Sequence, residues 1–197
     1  MNYNVNESDN ISNINICKVG DLQNNRNLYE DEINHADRLN TKTTYMLSVL
    51  TIIGSGEILV IQEILPIKLT FWAIIYYTLC LISLITFVYS IWLFIQVCNV
   101  SPYSYVNISA INKTCSRKYK EMAEKNFPQD IIGKFMELMF IKMLSEQYFN
   151  CALQNRLTNI EKLQNQQKLT QNLIYNFIAL FVNFVGYIII HSLKGGV

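Results

Sequence analysis

The chain has 197 residues, of which 51% are hydrophobic and only 16% charged, and its net charge is +1. Soluble domains carry nearer a quarter charged residues, so this composition argues against one, and the small net charge argues against a nucleic-acid partner. Once the long apolar runs are set aside, too little chain is left for a large soluble catalytic domain.

Residues 1–27 are rich in asparagine and poor in aromatics, which predicts a disordered N-terminal tail. They contain no apolar segment of the signal-peptide kind, so insertion is expected to use the first span itself. Residues 28–42, LYEDEINHADRLNTK, predict a cytoplasmic amphipathic helix with Leu28, Ile33, Ala36 and Leu39 on one face. Nothing breaks the pattern before Thr51, so this helix is expected to run into the next one. Glu32 and His35 have a spacing that can share a metal, but two ligands make no site, and neither metal nor cofactor is expected.

Residues 43–98 predict a transmembrane hairpin, with spans at 43–65 and 69–98 around Pro66-Ile67-Lys68. About 20 apolar residues cross a ~30 Å hydrocarbon core, and both runs are long enough. The first contains Gly54-Ser55-Gly56-Glu57; the glycines either loosen the helix or admit a neighbour. A carboxyl group near the bilayer centre costs about 2.5–3.5 kcal/mol on insertion scales, so Glu57 should face the bundle interior, protonated or hydrogen-bonded. An ion path, a proton site, an interhelix contact and a self-satisfied side chain all fit that placement. The second span is uncharged, and Phe71, Trp72, Tyr76, Tyr77, Tyr89, Trp92 and Phe94 near its ends predict interfacial aromatic belts.

Residues 99–170 predict a cytoplasmic helical region. A basic amphipathic segment over 105–126 carries Lys113, Arg117, Lys118, Lys120 and Lys125, which suits anionic headgroups better than nucleic acid. A turn at Asn126-Phe127-Pro128 leads into a long helix from Gln129, with an interruption expected near Gly133. Ile132, Phe135, Met136, Met139, Phe140 and Met143 recur at spacings of three and four, as a packed core or an adaptable interaction stripe. Further on, Leu153, Leu157, Ile160, Leu163 and Leu169 make a thinner stripe that hints at helix pairing, either within the chain or between subunits. Residues 172–191 predict the third span, in which Asn176 and Asn183 lie seven apart and should seek polar partners across a helix interface.

Ten of the lysines and arginines lie between the second and third spans and four precede the first; one lies in the hairpin loop and one follows the third span. The positive-inside rule then puts the N-terminus and residues 99–170 in the cytoplasm and the C-terminus outside. The expected fold is an all-α integral membrane protein: a two-span hairpin, a cytoplasmic helical region and a third, C-terminal span. No phosphate-binding loop, dinucleotide fingerprint, zinc-protease helix or nucleophile elbow occurs, so no enzyme and no catalytic residue is expected.

The order of these parts, Ala36-Asp37-Arg38-Leu39-Asn40-Thr41-Lys42 before the first span, and Leu144-Ser145-Glu146-Gln147-Tyr148 followed by Asn155, Lys162 and Lys168 before the last, resemble the small membrane effectors of bacterial anti-phage signalling. The resemblance is to Pycsar-type transmembrane effectors and SLATT-like domains, over roughly Leu28 to Ile190. It implies a homo-oligomer in the bacterial inner membrane that impairs that membrane when triggered by a cyclic nucleotide or a nucleotide-sensing partner. The chain departs from the pattern in having no recognisable cyclic-nucleotide-binding domain, so no ligand-binding residue carries over. The other expectation is a non-enzymatic membrane scaffold that binds a partner through its cytoplasmic helices.

Overall fold

A computed structural model describes residues 7–64 and 71–194, with side chains at 21–62, 73–129, 131–189 and 192. It contains four helices, α1 (Glu7–Ile64), α2 (Phe71–Cys98), α3 (Ile108–Asn126) and α4 (Gln129–Lys194), and no strand among the described residues. Three of them, α1, α2 and α4, are long and apolar enough to cross a membrane. The Pro66–Lys68 turn, the side chains of Phe71, Trp72 and His191, and residues 1–6 lie outside the described residues.

The chain divides into two compact units, one from the described residues of 7–36 with Pro102–Asn159, the other from those of 37–101 and 160–197. The second unit resumes at Asp37 and Ile160, about six and twelve residues ahead of the expected span starts at 43 and 172.

In the second unit, α1 and α4 run parallel and α2 runs back between them in the opposite sense. Glu57 meets Ser83, Asn176 meets Ser90, and the Tyr76 hydroxyl donates to the Asn183 carbonyl at 2.9 Å. Buried positions recur at three and four residues on each helix: 39, 46, 50, 53, 57 and 60 on α1, and 73, 76, 80, 83, 90, 93 and 97 on α2. Spacings of three, four and seven keep one stripe of each helix turned to its neighbours. One core cluster joins Met46, Leu50, Ile53, Leu93, Val97, Leu169 and Leu173. The outer faces are apolar as well, with Ile52, Leu59, Ile85, Phe177 and Phe181 all well exposed. Close packing and interhelical hydrogen bonds join helices whose inner and outer faces are both apolar. The glycines serve that packing. A Cβ at Gly54 would lie 2.7 Å from the Phe87 ring, and one at Gly56 would lie 2.7 Å from the Leu180 side chain. The helix is continuous through both.

In the first unit, α3 starts at Asn107, whose side-chain oxygen accepts from the Ala110 N–H at 3.0 Å and caps the first turn. It ends at Phe127 in extended geometry, as expected before Pro128. Ile111, Cys115 and Ala123 form its buried face. The cations Lys113, Arg117, Lys118, Lys120 and Lys125 stay exposed.

Several expectations are corrected. Residues 7–27 are helical, not a disordered tail, and α1 begins at Glu7. Within the described side chains, the Asn25 amide donates to the Ser145 hydroxyl at 2.9 Å and Tyr29 packs on Tyr148 at 5.5 Å, so α4 supplies a partner that composition alone does not reveal. No interruption occurs at Gly133, since α4 is unbroken and open space surrounds that residue. Leu153, Leu157 and Ile160 do not pair within the described chain: they point outwards, because the face of α4 turned to the interior there carries Ala152, Asn155, Thr158 and Asn159. Tyr76 is buried, not interfacial, because its hydroxyl finds a carbonyl on α4. Tyr89 and Trp92 are exposed and stacked at 5.6 Å, whereas Phe94 packs on the core.

Two alanine substitutions should therefore diverge. Gly133→Ala should raise stability by about 0.5–1 kcal/mol, because it removes backbone freedom at an open helical site. Gly54→Ala should lower it by about 1–3 kcal/mol by overpacking against a ring. Thermal unfolding of the full chain in detergent, followed by circular dichroism, measures both.

Candidate functional site

The interior of the second unit is a polar seam inside an apolar bundle. Glu57, Asn176 and Asn183 are 2%, 0% and 1% exposed. The Ser83 hydroxyl donates to Oε1 of Glu57. The Asn176 amide donates to the Ser90 hydroxyl at 2.5 Å and to the Thr86 carbonyl at 3.3 Å, and the Asn172 amide reaches the same two oxygens at 2.6 and 3.1 Å. Serines at 83 and 90 suit these sites because they combine small size with a hydroxyl.

The seam is incompletely satisfied. Glu57 Oε2, Asn176 Oδ1 and Asn183 Nδ2 are buried with no hydrogen-bond partner among the described residues. Each such atom costs about 1–3 kcal/mol relative to a paired state. With Gln166 Oε1, four buried polar atoms of the second unit stand unpaired among the described residues, and they can take up water, a cation or the polar groups of a rearranged neighbour.

A second polar cluster lies where α1 and α4 approach the apolar part of the unit. Gln166 donates to the Leu39 carbonyl at 2.7 Å and the Thr43 hydroxyl at 2.8 Å, and Lys162 donates to Asn40 Oδ1 at 2.5 Å. Leu39, Asn40 and Thr43 of α1 therefore meet Lys162 and Gln166 of α4 here. Burial holds the Lys162 ammonium below the usual lysine range, with the Cys98 sulfur opposing the shift.

In the first unit, Asn155 forms a two-way amide pair with Ser104. Its oxygen accepts from the Ser104 N–H at 2.7 Å and its NH2 donates to the Ser104 carbonyl at 3.1 Å. Asn159 donates to the carbonyl and carboxylate of Glu32, both at 2.9 Å, and accepts from the Tyr103 hydroxyl at 3.0 Å. The Glu32 carboxylate is thus engaged by an amide. Periodicity of apolar residues cannot reveal this site, since its signal is a run of buried amides at helical spacing.

The stripe Ile132, Phe135, Met136, Met139, Phe140 and Met143 is half-buried throughout. Phe135 packs between Tyr119 and Phe127 at 6.4 and 4.8 Å, and the Met136 carbonyl receives the Cys115 thiol at 3.8 Å, so part of the stripe is already occupied by α3. Met139 instead lines a cleft of about 500 Å³ with Asp21, Asn24, Asn25, Lys142, Ser145 and Glu146. Such a volume is typical of small-molecule sites, and this lining mixes charge with apolar surface.

No protein-family model, curated protein or solved structure matches the chain.

Ser83→Ala should destabilise the bundle by about 1–3 kcal/mol by removing the partner of a buried carboxyl group. Ser48→Ala, whose exposed hydroxyl bonds only its own helix, should change stability by under about 0.5 kcal/mol. Cysteine chemistry tests the first unit. Burial raises the pKa of Cys115 and Cys151, and the thiolate is the reactive form, so both should resist maleimide at neutral pH while exposed Cys98 labels. Labelling of Cys115 at the Cys98 rate in the folded chain would contradict the packing of α3 on α4.

Proposed function

We propose that the protein is a membrane effector of bacterial anti-phage, abortive-infection signalling. In this reading it is a homo-oligomer in the inner membrane, with its N-terminus and residues 99–170 in the cytoplasm, and it impairs the membrane when triggered by a cyclic nucleotide or a nucleotide-sensing partner. The observation that carries it is the inverted polarity of the second unit: an apolar exterior around Glu57, Asn176 and Asn183, each with a buried atom that has no partner. A permanent scaffold has no need of such a cost, whereas a switchable assembly uses it. Subunits that repack can pair those atoms with one another or with water, and a wetted polar interior leaks ions. The cleft beside Met139 supports a trigger site on the cytoplasmic unit, since it is of ligand size and draws on both α1 and α4. The basic face of α3 supports the cytoplasmic orientation.

A second reading, a non-enzymatic scaffold, is favoured by one observation. Phe149, Leu153 and Leu157 form an exposed apolar face on α4, with Leu157 62% exposed. A fixed partner helix would cover it.

Membrane potential, read with a voltage-sensitive dye during controlled expression in a bacterium with a panel of cyclic nucleotides, separates the two readings. The effector depolarises cells in response to a nucleotide, and Glu57→Leu or Asn183→Leu abolishes the response. An unchanged potential with every nucleotide, together with stoichiometric co-purification of one partner, would replace the effector with the scaffold.

A further inference from the structure

The bundle surface carries a second cavity, distinct from the polar seam. It is a cleft of about 430 Å³ between α1 and α4, lined among others by Lys42, Tyr45, Val49, Thr170, Ile174 and Phe177. Its chemistry is graded along the helices. Lys42, Tyr45 and Thr170 lie at one end by their positions on α1 and α4, and every lining residue beyond them is apolar. From Thr170 to Ile178 the helix rises roughly 12 Å, close to one leaflet of a ~30 Å hydrocarbon core. The cleft wall is therefore apolar at the depth of chains, and the exposed Lys42 stands at its headgroup end.

We infer that this cleft is a binding site for an anionic phospholipid, with its headgroup phosphate on Lys42 and one acyl chain along Val49, Ile174 and Phe177. The inference rests on the membrane-spanning reading of the second unit. Two points favour a lipid over a second copy of the chain. Lys42 forms no ion pair among the described residues, so a cation waits at the mouth for an anion. In a symmetric assembly of parallel chains, each copy would bring another Lys42 to the same depth, which sets like charges together instead of neutralising them. A flexible chain also fills an irregular apolar cleft that would otherwise forfeit dispersion contacts.

The test uses the full chain in bilayer discs holding equal amounts of phosphatidylglycerol and phosphatidylcholine, with retained lipid read by native mass spectrometry. The wild-type chain should retain phosphatidylglycerol preferentially. Lys42→Gln should reduce that preference about fivefold, the effect of one lysine beside an anionic surface. Ile174→Trp, which fills the cleft, should reduce retention of both lipids. A photo-crosslinker at Val49 should add the mass of one lipid. Equal retention of the two lipids by the wild-type chain would overturn the site without recourse to any variant, and so would crosslinking of Val49 to a second chain, which would assign the cleft to subunit contact. Release of the protein from vesicles by alkaline carbonate would overturn the spanning reading itself. A chain that resists carbonate but shows no lipid preference would overturn the lipid site alone.

Discussion

The hydrogen bond from Ser83 to Glu57 is the constraint on which the three-helix unit depends. An ionisable side chain in the middle of an apolar helix has few tolerable positions, and the least costly one faces inwards to a hydroxyl on a neighbour. That requirement sets the rotation of α1, and with it the burial of Ile53 and Val60 and the exposure of Ile52 and Leu59. Ser83 sets α2 in turn, since Tyr76, Cys80 and Ser90 share its face, and Ser90 then receives Asn176 from α4. The amides and hydroxyls fix register in a bundle whose apolar surfaces are alike inside and out.

Amides play the corresponding part in the first unit, but there they are fully employed. Asn155 matches the donor and acceptor of one backbone residue, and Asn159 joins α1 to α4 through Glu32. The contrast between the units is therefore one of satisfaction. The seam around Glu57 retains unpaired atoms, whereas the clamp around Asn155 does not. Units with satisfied networks hold one arrangement, and partly satisfied ones have an energetic reason to change.

The two cavities differ in the same sense. The cleft beside Met139 offers charges of both signs with apolar surface, as a small polar ligand needs. The cleft below Lys42 offers one cation above an apolar trough, as an amphiphile needs.

Apolar run length by itself determined the three helices able to cross a membrane, because ~20 uncharged residues leave few other outcomes. The cost of a carboxyl group in an apolar run likewise pointed Glu57 inwards, and amide spacing pointed Asn176 and Asn183 to a shared face. Helix α3 followed from its amphipathic spacing and from Pro128 beyond its end. Only the tertiary structure decided which of those polar groups pair, since Ser83, Ser90 and Thr86 are ordinary residues until a neighbour faces them. It also decided the helicity of Glu7–Asn27, for which a long helix in water needs a surface to lean on. It showed that the stripe at Leu153, Leu157 and Ile160 pairs with no described helix of the same unit, because amides offer the interior better hydrogen bonds there. The cleft at Lys42 belongs to the same class, since it is built from residues more than a hundred positions apart and exists only once α1 and α4 lie side by side.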